Sequence, residues 1–131
     1  MKFTSIDPPR RFMVHGTGIS GELADCGRIE LQSGEQGTFV TSNGAEYDVA
    51  RKPWGFYATP SMNARLTKHG LKAALVINAF GRLFLMLVET GREDAFLEYL
   101  RDDRQRLLSW LDSDESVSRL DALLSEAHLN D

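Results

Sequence analysis

The chain has 131 residues, 42% of them hydrophobic and 26% charged, with a net charge of −4. That length suits one domain and is too short for a TIM barrel or a two-domain dinucleotide-binding enzyme. Cys26 is the single cysteine, which excludes an internal disulfide framework and fits a reducing compartment.

Asp7-Pro8-Pro9 reads as a stiff extended lead-in, because each proline fixes its own φ and keeps its predecessor out of the helical region. Met1 to Arg11 has no apolar run, so no secretory signal is expected. Arg11 to His15 is a candidate first strand, and Gly16-Thr17-Gly18 breaks it. Gly16, Gly18 and Gly21 have the spacing of a dinucleotide fingerprint, but no βαβ unit surrounds them, so a turn is expected there. Arg28 to Gln32 alternates polar and apolar, which marks a half-buried strand. Thr38–Thr41 and Glu46–Val49 flank Asn43-Gly44, a hairpin signal of the type I′ kind.

Trp54 to Thr59, bounded by Pro53 and Pro60, reads as another strand, and residues 61–70 as a loop with room for one helical turn. Lys72–Asn78 and Leu83–Val88 are apolar almost throughout. Strands of that kind are usually covered on both faces, so these two are expected at the centre of the sheet. Thr90 to Glu93 fits a capping box. Phe96, Leu100, Leu107 and Leu111 then follow helical spacing, with Arg101 to Arg106 as the polar face. A second cap near Ser113 or Asp114 opens a shorter helix carrying Val117, Leu120, Leu123 and Leu124.

The expected fold is a single α+β domain over 1–131, β-rich over 1–89 and helical over 90–131. It has about six or seven mainly antiparallel strands, as a sheet or a partly rolled barrel, followed by two C-terminal helices. No apolar run approaches the roughly 18 residues of a membrane helix, so a soluble cytoplasmic protein without a membrane span is expected.

Charge is unevenly placed: residues 1–48 carry −3, 49–88 carry +6 with no carboxylate, and 89–131 carry −7. The basic stretch would attract a small anion. It could equally face the acidic helices, within the fold or across a dimer. The acidic remainder argues against a nucleic-acid surface.

Arg51 to Leu66 is the densest candidate site, because it mixes aromatic walls with short polar groups and cations. Strand alternation would put Trp54, Phe56 and Ala58 on one face and Tyr57 and Thr59 on the other. Arg51, Lys52 and Arg65 would hold a charged group, Trp54 or Tyr57 would stack on a ring, and Ser61 and Asn63 would bond hydroxyls. The bland alternative is that the aromatics are core and the polar residues make turn hydrogen bonds. Glu46 and Asp48 share a strand face and could point toward Arg51 or Lys52, either to place a general base or as simple charge pairing. His69, near Lys68 and Lys72, is a candidate acid or base, although a lone histidine near a loop is more often surface. Asp48, Tyr57 and His69 are thus the candidate catalytic residues. Metal ligation is not expected, because His15, His69 and His128 are far apart and no CxxC or HxxxH occurs. No cofactor is expected either. Cys26, beside Asp25, reads as a small buried hydrophobe rather than an activated thiol.

Ile6-Asp7-Pro8-Pro9-Arg10, Glu46-Tyr47-Asp48-Val49 and Trp54 to Leu66 together resemble a group of small, uncharacterised bacterial proteins associated with surface-polysaccharide and sugar biosynthesis. The resemblance spans most of residues 5–112 and implies a cytoplasmic role near activated or acidic sugars. The leading expectation is therefore a carbohydrate-pathway protein that binds an anionic sugar or nucleotide sugar, with proton transfer if it is an enzyme. One rival is a non-catalytic interaction protein that uses the basic segment and dimerises through its C-terminal helices and Trp110. The other is a metal-dependent, cupin-like enzyme.

Overall fold

The computed structural model describes residues 1–15 and 20–129, without the side chains of residues 15, 20 and 127–129. The glycine turn expected at 16–18 lies outside the described residues. Eight strands and three helices are described, in three mostly antiparallel sheets, none of which closes into a barrel.

The first sheet is a ribbon of β1 (Lys2–His15) and β2 (Ser20–Glu30). Pro8 and Pro9 do not form a separate lead-in but lie inside β1. The register shifts between Ser5 and Arg10, because prolines cannot donate to the ladder and are tolerated at such an irregularity. Cys26 is exposed on this ribbon, contrary to the buried role expected for it.

The second sheet has the order β3 (Gln36–Val40), β4 (Glu46–Lys52), β5 (Gly55–Ala58). The expected hairpin is present, but its loop is wider than a two-residue turn. Gly44 takes φ 91°, Asn43 does not take a positive φ, and the Thr41 N–H bonds the Ala45 carbonyl at 3.0 Å. The one-turn helix α1 (Arg65–Lys68) follows.

The third sheet has the order β7-β6-β8, from β6 (Leu71–Ile77), β7 (Leu83–Glu89) and β8 (Arg106–Trp110). β6 is central as expected, but β7 is an edge strand. Helix α2 (Glu93–Asp102) covers one face, where Leu100 packs with Ala74 and Val76, and Phe96 lies 5.5 Å from the Trp110 ring. On the other face Leu71 and Ala73 pack with Ala45, Leu66 and Leu111.

The 90–131 region is therefore not wholly helical. α2 stops at Asp102, where acidic side chains oppose the helix dipole. Arg104 then takes φ 57°, and β8 fills the second edge of β6. Arg92, not Thr90, is the N-cap of α2, and the Glu93 carboxylate accepts the Gly91 N–H at 2.6 Å. α3 (Asp114–Leu129) starts where expected, with Ser113 Oγ accepting the Ser116 N–H at 3.1 Å, but it is longer than α2 and not shorter, because β8 takes residues expected in the first helix. Among the described residues no helix is long and apolar enough to cross a membrane.

Candidate functional site

Alternation along β4 puts Glu46, Asp48 and Lys52 on one face, and Tyr47 and Arg51 on the other. Asp48 is buried. Thr38 lies directly opposite it on β3, and the Thr38 hydroxyl donates to Asp48 Oδ1 at 2.7 Å. The other carboxylate oxygen, Oδ2, lies 3.7 Å from His69 Nδ1.

His69 is held in place by its local chain. It is the C-cap of α1, whose Leu66 is fully buried. The His69 carbonyl accepts the Glu46 N–H at 3.0 Å, tying this position to the start of β4. Gly70 follows with φ 87°, a conformation that favours glycine. His69 Nδ1 is buried without a hydrogen-bond partner. A separation of 3.7 Å is too long for a hydrogen bond, but catalytic contacts in empty sites are often long and tighten when a ligand binds.

His69 also lines an open cleft of about 360 Å³, together with Asn43, Glu46, Lys68, Glu89 and Thr90. Across it, the Asn43 amide donates to Glu89 Oε2 at 3.1 Å. An imidazole on a polar cleft, backed by a buried carboxylate, is an arrangement that can move a proton. On the opposite face of the sheet, burial pushes the Tyr47 hydroxyl pKa up.

The expected site residues divide. Tyr57 pairs with Ala50, so it shares the Asp48 face one pleat along. Asp48, Tyr57 and His69 therefore belong to one side of the molecule, and Lys52 with them. Arg51 does not join them: its guanidinium lies 5.5 Å from the Phe56 ring and donates to the Gly55 carbonyl at 3.3 Å. Trp54 lies in the turn before β5, largely exposed, with its ring 6.0 Å from Tyr57. It thus sides with Tyr57 and not with Phe56, because the turn breaks the alternation the sequence implied. Ser61 Oγ accepts the Arg65 N–H at 3.0 Å, a turn role. The Asn63 amide donates to Asp114 Oδ1 at 2.9 Å and ties the loop to the start of α3. Arg65 is exposed on α1.

Thr38, Asn43, Glu89 and Thr90 were not singled out from the sequence as site residues. Thr38 could have been found by counting back across the Asn43-Gly44 hairpin. Glu89 and Thr90 carry no such signal, since they arrive from the end of β7. Among the described residues, no group of three or more His, Cys, Asp or Glu side chains could hold a metal ion.

The chain matches no protein-family model, no curated protein and no solved structure.

Proposed function

We propose that the chain binds a small hydroxyl-rich ligand, an acidic or activated sugar, on the face that carries Asp48 and Tyr57, and exchanges a proton with it through His69. The observation that carries this reading is the buried Asp48 carboxylate 3.7 Å from His69 Nδ1, at the wall of an open polar cleft. Asp48 would fix the imidazole with its Nδ1–H inward, leaving Nε2 to give or take the proton. The exposed Trp54–Tyr57 ring pair offers an apolar surface for a sugar ring. Lys52 and Lys68 would attract its anionic group, and Asn43 and Thr90 would bond hydroxyls. Glu46 and Glu89 beside His69 favour hydroxyls over a second anion near the reacting atom. The resemblance of Glu46–Val49 and Trp54–Leu66 to bacterial polysaccharide-associated proteins supports the sugar class and a cytoplasmic role.

The test is calorimetric titration and thermal shift with nucleotide sugars, sugar phosphates and uronic acids. In parallel, NMR in D2O would follow exchange of ligand C–H protons. A ligand at a hundredfold excess over Kd stabilises the native state by about 2.7 kcal/mol. Trp54→Ala is expected to weaken binding, whereas His69→Gln is expected to retain binding and abolish exchange. Absence of any shift across the panel would remove the reading.

A further inference from the structure

β7 is an edge strand of unusual character. Leu83 to Val88 contains no charge, no proline and no register shift against β6. Soluble proteins normally blunt such an edge with charge, proline or a bulge, because its free N–H and C=O groups invite another strand. Both faces of its first half are exposed, with Leu83 at 57%, Phe84 at 44% and Leu85 at 49%. Two apolar hollows lie beside the strand. One, of about 250 Å³, is walled by Phe39, Val40, Tyr47 and Leu87. The other, of about 340 Å³, lies toward α2 and includes Val88, Phe96 and Tyr99.

The β1–β2 ribbon has the reverse problem. Among the described residues it makes no extensive packing with any other element. Its end is tied to the body by the Met1 ammonium, 2.8 Å from the Glu35 carboxylate. A two-stranded ribbon alone is marginal in water. Yet Phe12, Met13 and Val14 of β1 are all exposed. Alternation sends Phe12 and Val14 to one side and Met13 to the other, so this segment is apolar on both faces. The nearer half of β1 cannot supply a regular edge, because Pro8 and Pro9 lack N–H donors.

We propose that the Arg10–Val14 half of β1 in one copy adds as a strand to β7 of a second copy. Its side chains cover the two hollows, which adjoin and share Thr41, Leu71 and Leu87 as walls. The occupant follows from the chain itself: β7 is an apolar edge that lacks a strand, and the ribbon is an apolar strand pair that lacks a sheet. In a reciprocal exchange each copy gives one such segment and receives one, so a dimer closes both edges at once. The ribbon's four cations and four carboxylates leave it neutral, which suits an apolar second copy better than a charged polymer.

The test is light scattering on the full chain over a concentration series, with amide hydrogen exchange on the same samples. The expected result is a mass twice 14.7 kDa, with the β7 and β1 amides that point away from β6 and β2 protected only at concentrations where the dimer forms. Leu85→Lys and Met13→Asp should each give the monomer mass with an unchanged far-UV spectrum. A monomer at every concentration would overturn the proposal. So would a dimer that survives both substitutions, or one whose protection falls on α3 instead of β7. If a variant fails to fold, the wild-type exchange map decides alone.

Discussion

Leu66→Ala tests the placement of His69 through packing alone. Leu66 is the only buried side chain of α1 and has no exposed surface. It sits among Ala45, Leu71, Ala73 and Leu111. Two of those neighbours are alanines, with no side chain long enough to refill the space. The loss should therefore reach the middle of the Leu→Ala range, about 3.5 kcal/mol. At an unfolding entropy of about 2.1 cal/mol/K per residue, a chain of this length loses about 13 °C in Tm. Thermal and urea unfolding followed by circular dichroism would measure it. Leu66→Met is the control, since a swap of similar volume costs less than about 1.5 kcal/mol. A loss below about 1 kcal/mol for the alanine variant would show that Leu66 does not anchor α1. The argument for His69 at that helix end would then lose its base.

Gly70→Ala should cost about 1–2 kcal/mol, because φ 87° is left-handed and an added Cβ would sit 3.4 Å from Ala45 Cβ. Denaturant unfolding would measure the cost, and the His69 imidazole NMR signals should shift as β4 gives way. Tyr47 should make the protein sensitive to alkali. Burial raises its pKa above the ordinary 10.0, so the folded state holds the proton more tightly than the unfolded chain does. That contribution is fully present below the unfolded value and is lost as pH rises through the folded one. Tyr47→Phe should flatten the alkaline fall in urea midpoint, and an unchanged fall would refute the assignment.

The β3–β4 hairpin and the β6–β7 pair were legible because each rests on a local pattern: Asn43-Gly44 between alternating runs, and two apolar runs around Gly81. β8 was not legible. Leu107, Leu108 and Trp110 form a short apolar run that fits either period, and only the open edge of β6 decides for strand. The better clue was Asp102-Asp103, a poor helix end that read as polar face. At the site, Asp48 and His69 were each named for their own chemistry, but nothing in their spacing showed that they meet. Their approach depends on the backbone bond from Glu46 to His69, which is a tertiary event. Arg51 was open to correction by counting: it is an odd number of residues from Asp48 on one strand, so it faces the other way.

β6 buries Leu71 and Ala73 in one cluster and Ala74 and Val76 in the other. One strand is thus shared between two packed layers, with β7 and β8 hydrogen-bonded to its two edges. Neither layer can open while the other stays intact, because separating either exposes the same backbone. The body around β6 should therefore melt as one cooperative unit. The amides of β6 should exchange only through global unfolding, while the ribbon and α3 follow their own, lower-energy openings.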